Sequence, residues 1–165
     1  MNKALILAAG LGSRLKTAHE APKPLTPLQG EPSLVRLIRQ FGEAGIKETA
    51  IVIGYRGDEI RSAVEAAQTG DMRLHWITND RYMEPNGVSV LAARVFVQER
   101  VLLSMADHMF LGDAIPLMAH LDPAAPESVL LIDRDLPAVF DMDDATKVHT
   151  DAQGAEVAQR EDGRR

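Results

Sequence analysis

The sequence predicts an α/β fold in three layers, α/β/α, with a mostly parallel sheet. Short apolar runs alternate with segments whose apolar residues recur at helical spacing. This alternation is typical of a sheet covered by helices on both faces. The polar and glycine-containing motifs follow directly after predicted strands, at the edge where parallel sheets bind ligands. We expect residues 1–165 to form a single domain, since a chain of 165 residues can bury one substantial core.

Five short runs are predicted as strands because their aliphatic residues are typical of a buried parallel sheet. They are residues 4–7, 49–53, 74–78, 101–105 and 129–132. Two helices are predicted from apolar residues at helical spacing, one ending near Gly45 and one near Gly70. These apolar residues are Leu34, Leu37, Ile38 and Phe41 in the first helix, and Ile60, Ala63, Val64 and Ala67 in the second.

Two further helices are predicted from capping residues. One follows the polar loop that starts at Thr78, with Asn86 or Ser89 able to cap it. The other begins at Asp113 and runs to about Leu121, where an Asp-Pro pair ends it.

The composition excludes several classes of function. A net charge of −6 argues against a nucleic-acid partner. The apolar runs are too short for a membrane span, and the amino terminus lacks the pattern of a secretory signal. Without cysteine, the chain has no disulfide and no thiolate zinc site, and its five histidines show no close ligand spacing. We therefore expect a cytoplasmic protein, and leave open whether it forms a homo-oligomer.

The first predicted strand leads into a loop suited to a polyphosphate. Residues 8–12, AAGLG, are small and leave backbone N–H groups free to approach a bulky anion. Arg14 follows at once, and Lys23 lies between two prolines that stiffen the chain. The dinucleotide fingerprint is excluded because Leu15 stands where its third glycine is required. A P-loop is excluded because no glycine precedes a lysine followed by Ser or Thr.

Residues 7–15, LAAGLGSRL, together with residues 22–32, PKPLTPLQGEP, resemble the nucleotidyltransferases that activate sugar, polyol or choline phosphates with a nucleoside triphosphate. The resemblance implies a Rossmann-like, glycosyltransferase-A-like nucleotidyltransferase fold. It also implies that Lys23 reaches the reacting phosphate and that Arg14 meets the outer phosphates. The loop that it implies around the triphosphate comprises Leu7, Ala8, Ala9, Gly10 and Gly12.

A second contact with the nucleotide is expected from the loop before the third helix. In the family, a similar Asn-Gly-x-Ser segment lies against the base and the ribose, which implies Asn86, Gly87 and Ser89 here. An ordinary loop with a helix cap is the alternative.

Asp107 is expected to hold Mg²⁺. It follows a predicted strand, so its carboxylate emerges at the ligand edge of the sheet, and Mg²⁺ bound to a triphosphate prefers such hard oxygen ligands. The resemblance assigns this aspartate to the metal, while a turn or a helix cap is the ordinary alternative. His108 either lines the site or lies beside it with its own hydrogen-bond partner.

The segments 103–110, 132–135 and 143–148 resemble inositol-1-phosphate cytidylyltransferases. This implies transfer of CMP from CTP to inositol 1-phosphate with release of pyrophosphate. Asp135 and Lys147 are candidates for the acceptor side, or equally an exposed acid and a hairpin lysine. The enzyme alternatives are a sugar-1-phosphate nucleotidyltransferase and a phosphocholine cytidylyltransferase.

Family members continue beyond the point where this chain ends. The later segment supplies a second metal-binding acid and part of the acceptor pocket, so we expect this chain to be C-terminally short. The motifs therefore support nucleotide binding more firmly than turnover, and a nucleotide-binding module without catalysis is the alternative from another class.

Overall fold

The computed structural model describes residues 1–11, 21–67, 69–122, 124, 128–139, 141–143 and 145–151, and the backbone of 156–160. The chain divides into two units, Met1–Glu127 and Ser128–Arg165. In the first unit, the elements are β1 (Lys3–Ala8), β2 (Pro27–Leu28), β3 (Glu31–Pro32), α1 (Ser33–Glu43), β4 (Glu48–Ile53), α2 (Gly57–Ala66), β5 (Arg73–Thr78), α3 (Asn86–Ala92), β6 (Leu102–Met105) and α4 (Ala114–Ala119). A turn of 3₁₀ helix covers Lys23–Leu25.

Four of these strands form one parallel sheet in the order β5-β4-β1-β6. β1 is central, with β4 on one side and β6 on the other. The chain therefore winds outward from β1 through β4 to β5 and later returns to the other side of β1. Such a reversal opens a crevice outside the carboxyl ends of the two strands that flank it, here β1 and β6.

The central strand is buried on both faces, which explains its continuous apolar run. Ala4, Ile6 and Ala8 pack in a cluster with residues of α1, α2 and α4. Leu5 and Leu7 point to the opposite face, where Val90 of α3 and the segment after it pack. The predicted three-layer arrangement is therefore confirmed.

The first two helices agree with the sequence prediction. Leu34, Leu37, Ile38 and Phe41 of α1 are fully buried, and Gly45 adopts the positive φ of +91° that ends such a helix. Gly70, with φ of +74°, follows α2. Of the helices in the described part of the chain, none combines the length and the apolar character needed to cross a bilayer.

The predicted cap of α3 is wrong, and the predicted cap of α4 is correct in position only. The capping position of α3 is Pro85, and Asn86 is already helical. Ser89 lies inside the helix, where its hydroxyl accepts a hydrogen bond from the Asn79 amide at 2.9 Å, so it does not cap the helix. Asp113 does occupy the capping position of α4, but its side chain makes no capping bond, and the helix ends at Ala119.

The second unit contains a 3₁₀ turn at Leu136–Ala138 and an antiparallel pair, β7 (Lys147–Thr150) and β8 (Glu156–Arg160). The strand predicted at 129–132 is wrong, because this run is irregular. Val129, Leu130 and Leu131 are 47%, 60% and 47% exposed. An apolar run becomes a strand when it pairs and packs, and no ladder partner for this run occurs among the described residues.

Candidate functional site

The candidate site lies where β1 and β6 end side by side. Leu7 of β1 accepts a hydrogen bond from the Ala106 amide at 3.0 Å, which continues the pairing of the two strands past the end of β6. The next residue, Asp107, therefore emerges beside the segment that leads from β1 to Gly10. This is the crevice that the strand order opens.

A rigid turn brings Lys23 to the same place. Pro22 accepts a hydrogen bond from the Leu25 amide at 2.8 Å, and Lys23 accepts one from the Thr26 amide at 3.0 Å. The rings of the two flanking prolines restrict the backbone further. The Lys23 ammonium group donates to Asp107 Oδ2 at 2.6 Å, so the structure joins two predicted site residues that lie 84 positions apart in the sequence.

The cleft around this pair has a volume of about 110 Å³. It is lined by Leu7, Ala8, Gly10, Lys23, Pro24, Met105, Ala106 and Asp107. Ligand pockets commonly enclose about 300–1,000 Å³, so this cleft can hold only part of a ligand of that size. The space where a Cβ atom would stand on Gly10 holds no atom within 4 Å among the described residues. The backbone there can therefore be approached closely.

The electrostatics favour an ionised Asp107. Burial raises the pKa of its carboxyl group, but the hydrogen bond and the charge of Lys23 outweigh burial and hold this pKa below its usual range. The Asp107 amide and the nearby His108 lower it further. The side chain is still 39% exposed. A ligand can therefore reach a carboxylate that is anionic at neutral pH.

The chemistry of Asp107 fits a magnesium ion that arrives with a nucleotide. Among the described residues there is no group of three or more His, Cys, Asp or Glu side chains that could enclose a metal. Mg²⁺ does not need such a cage, because it is commonly held by one or two carboxylates together with phosphate oxygens and waters. Asp107 can provide one such carboxylate.

His108 has partners of its own. Its Nδ1 atom lies 3.4 Å from the Ser104 hydroxyl, and its ring meets that of Phe110 edge-on with centroids 5.8 Å apart. The structure therefore favours the second expectation for His108, in which it lies beside the site and its polar atom already has a partner.

The segment predicted to contact the base is held by a residue that the sequence analysis missed. Asn79 directly follows β5 and is 5% exposed. Its side-chain amide donates to the Ser89 hydroxyl, and its Oδ1 accepts from the backbone amide of Arg81 at 3.0 Å. A polar residue immediately after a predicted strand, at the edge where parallel sheets bind ligands, was the signal that could have identified it.

A close contact joins this segment to the start of the glycine loop. A Cβ atom on Gly54 would stand 2.6 Å from Tyr82 Cβ and 2.9 Å from the Ala9 carbonyl oxygen, so only glycine fits there. The Ala9 oxygen also accepts a hydrogen bond from the Tyr55 amide at 3.0 Å. The segment after β5, the end of β4 and the residue before Gly10 are therefore in mutual contact.

The remaining predicted site residues are placed as follows. Ala9 is buried and does not line the cleft, and Asn86 and Gly87 are exposed at the start of α3, outside its lining. Gly12 and Arg14 lie outside the described residues.

Asp135 and Lys147 belong to the second unit. The Asp135 amide donates to Asp133 Oδ1 at 2.8 Å, just before the 3₁₀ turn. Lys147 begins β7, and its ammonium group donates to the Asp143 carbonyl at 3.4 Å.

Comparison with known proteins gives a family and several relatives. Residues 4–147 match the family model described as "MobA-like NTP transferase domain". The CMP-5'-(3-aminopropyl)phosphonate synthase of Streptomyces rubellomurinus is 33% identical over 155 residues, which are 92% of this chain and 23% of that protein. A bifunctional IPC transferase and DIPP synthase of Rubrobacter xylanophilus is 34% identical over 113 residues, 68% of this chain and 25% of that protein.

Among solved structures, the CTP:phosphocholine cytidylyltransferase of Streptococcus pneumoniae is similar at 30% identity and a TM-score of 0.53. The match covers 64% of this chain and 44% of that one. The chain thus spans about a quarter of the length of the two relatives above and under half of this structure.

Proposed function

We propose that this chain, which belongs to the family of MobA-like NTP transferase domains, transfers CMP from CTP to a phosphorylated acceptor and releases pyrophosphate. The observation that carries the proposal is the meeting of Lys23 and Asp107, 2.6 Å apart, at the crevice between β1 and β6. One group neutralises phosphate charge, and the other can hold a metal ion that accompanies the nucleotide.

In the proposed reaction, an oxygen of the acceptor phosphate attacks the α-phosphorus of CTP in line with the leaving group. A new P–O–P bond forms, the bond from the α-phosphorus to the bridging oxygen breaks, and the electron pair leaves with pyrophosphate. The acceptor is already anionic at neutral pH, so no general base is needed. Catalysis then consists mainly of alignment and electrostatic stabilisation.

Each residue has one role in this scheme. Lys23 stabilises the charge that develops on the α-phosphate, and the backbone of Leu7, Ala8 and Gly10 forms the floor beneath the phosphates. Mg²⁺ held by Asp107 would supply positive charge to the phosphate oxygens. Arg14 and Gly12 are assigned to the outer phosphates by their motif. Asn86, Gly87 and Ser89 are assigned to the base and the ribose in the same way.

The base and the acceptor are proposed from the relatives. The phosphonate relative is named for a CMP product, and the pneumococcal structure is named as a CTP-dependent enzyme. We therefore assign CTP. Inositol 1-phosphate is the preferred acceptor because of the segments 103–110, 132–135 and 143–148, with Asp135 and Lys147 on the acceptor side. We propose a cytoplasmic location for the reaction, as the sequence composition led us to expect.

A pyrophosphate-release screen tests the proposal. CTP and the three other common ribonucleoside triphosphates are each combined with inositol 1-phosphate, glucose 1-phosphate, phosphocholine and an aminoalkylphosphonate. We expect release with CTP, with inositol 1-phosphate as the best acceptor. Release with another combination of nucleotide and acceptor would still support nucleotidyl transfer, but it would identify a different substrate. Nucleotide binding without release in any combination would favour a binding module and contradict the enzyme.

The metal assignment is tested in the same assay. Asp107→Ala should abolish the magnesium-dependent activity, because the carboxylate that would hold the ion is lost. Asp71→Ala is the matched control, since Asp71 is exposed before β5, at the opposite end of the sheet. An unchanged magnesium response in Asp107→Ala would remove this residue from the site.

A further inference from the structure

The turn that carries Lys23 is fastened to the first helix by one residue. Ser33 begins α1, and its amide donates to the Thr26 carbonyl at 3.0 Å. Its hydroxyl donates to the Pro24 carbonyl, also at 3.0 Å. Both accepting groups belong to the few residues that follow Lys23. The first residue of α1 thus uses an amide that has no partner within its own helix, and a hydroxyl, to hold this turn.

We propose that Ser33 is a positioning residue that holds the Lys23 ammonium group in the site by fixing the backbone of the turn on which the lysine stands. The inference rests on the proposed function, in which Lys23 acts on the reacting phosphate. Ser33 lies outside the lining of the cleft and is 8% exposed, so it acts through the turn and not by contact with a ligand.

The turn needs this attachment because its own bonds leave the Pro24 carbonyl unused. The 3₁₀ turn is closed by the bonds between Leu25 and Pro22 and between Thr26 and Lys23. Pro24 has no amide to donate and is itself buried. Its carbonyl is satisfied by the Ser33 hydroxyl in a buried bond. Removal of the hydroxyl leaves a buried acceptor without its partner, and the turn must shift to reach another donor.

A small shift of this turn has a large effect on the lysine. The Lys23 side chain has four rotatable bonds, so its ammonium group is located by where the backbone places it and by the bond to Asp107. Alignment of reacting groups tolerates little error, and a displacement of about 1 Å can lower a rate by about 100-fold. Nucleotide binding depends on many groups besides Lys23, so it should change far less.

The experiment compares three single substitutions. Ser33→Ala removes the hydroxyl, and we expect kcat to fall by about ten- to 100-fold with KM for the nucleotide changed by less than about threefold. Ser33→Thr retains a hydroxyl and should restore most of the turnover. Thr49→Val is the matched control: Thr49 is fully buried near the amino end of β4, and its hydroxyl bonds only to the Met72 sulfur among the described residues. It should leave kcat unchanged.

A double substitution separates positioning from a general loss of stability. In a Lys23→Ala background, Ser33→Ala should lower kcat no further, because the group it positions is already absent. An equal loss in both backgrounds would overturn the inference. So would Thr49→Val lowering kcat as much as Ser33→Ala.

A second readout does not depend on activity. Trace acetylation of the folded chain, followed by peptide mass spectrometry, measures how fast the Lys23 amine reacts. The rate should rise severalfold in Ser33→Ala, where the pair with Asp107 is loosened, and not in Ser33→Thr or Thr49→Val. An unchanged Lys23 rate in Ser33→Ala would overturn the inference. If the chain released no pyrophosphate at all, the proposed function would fail, while these rates would still decide the role of Ser33.

Discussion

Ion pairs lie at both ends of the parallel sheet, but they are built differently. At the amino end, Glu48 of β4 pairs with Arg73 and His75 of β5, at 3.1 and 3.0 Å. Glu48 and Arg73 are direct partners in the strand register. At the carboxyl end, Lys23 stands on a turn outside the sheet and reaches Asp107 at the end of β6.

The difference shows why the carboxyl end is the candidate site. A pair between neighbouring strands supports their register, and its partners are already opposite each other. The pair between Lys23 and Asp107 adjoins an open cleft and the accessible backbone at Gly10. The ammonium group there can pair with a bound anion, and the carboxylate can bind a cation. The same chemistry therefore stabilises structure at one end and can bind ligands at the other.

The largest difference between the two ends is expected when one lysine is removed from each. Lys23→Ala should lower turnover by about 10²–10³-fold and nucleotide affinity much less, because the charge is needed mainly in the transition state. The control is Lys3→Ala at the amino end, where Lys3 pairs with Glu99 at 2.6 Å. It should leave turnover unchanged. Steady-state kinetics and nucleotide titrations measure both, and equal losses in turnover and affinity for Lys23→Ala would contradict its role.

The packing around one glycine at each end of the sheet also differs. Gly54→Ala places a methyl group 2.6 Å from Tyr82 Cβ, so we expect a loss of about 1–3 kcal/mol in the free energy of unfolding. Among the described residues, a Cβ atom on Gly42 in α1 meets only the Met72 methyl group, at 3.6 Å, so Gly42→Ala should be neutral or stabilising because alanine favours helix. Urea denaturation of both variants measures the difference. Equal stability of Gly54→Ala and the native chain would contradict the close contact.

The smallest expected effect concerns acid stability. The pKa of Asp107 is lowered in the folded chain, so its ion pair stabilises folding above the ordinary carboxyl pKa of about 4. That contribution is lost as the pH falls through the lower, folded-state pKa. The urea midpoint of the native chain should exceed that of Asp107→Asn by a steady amount between about pH 5 and 7, and the difference should shrink as the pH falls below about 4.

Glu48→Gln provides the same measurement at the amino end. The hydrogen bond from His75 lowers the pKa of Glu48, and the charge of Arg73 adds to this, so its contribution also fades in acid. Addition of CTP and Mg²⁺ should change the difference in urea midpoint between the native chain and Asp107→Asn, because the nucleotide is proposed to bind at the carboxyl end. The corresponding difference for Glu48→Gln should stay the same. A change of similar size in the difference for Glu48→Gln would mean that the ligand does not distinguish the two ends.

Local patterns in the sequence were sufficient for much of the first unit. The apolar run of β1, the helical spacing in α1 and the positive φ of Gly45 follow from short-range rules of burial and backbone geometry. The family membership expected from the motifs of the first 32 residues is confirmed by the match over residues 4–147. These features depend on neighbours in the chain, which the sequence shows directly.

Several of the wrong or missing predictions depend on contacts outside the local sequence. Residues 129–132 have the composition of a strand but lack a ladder partner among the described residues. Ser89 has the chemistry of a cap, yet its hydroxyl is used by Asn79. Ser33 and Gly54 drew no attention in the sequence, since a serine at the start of a helix and a glycine after a strand are common.

The chemically competent residues could be identified from the sequence: a small-residue loop after a strand, a lysine between prolines and an aspartate at a strand end, which the family resemblance directs to one triphosphate. The fold was needed to show that Lys23 and Asp107 bond to each other directly, that Asn79 bonds to Ser89 in the next helix, and that Ser33 bonds to the lysine turn. The physical reason is that side-chain type and local backbone preference are encoded residue by residue. Contact between residues 84 positions apart depends instead on how the strands are ordered in the sheet.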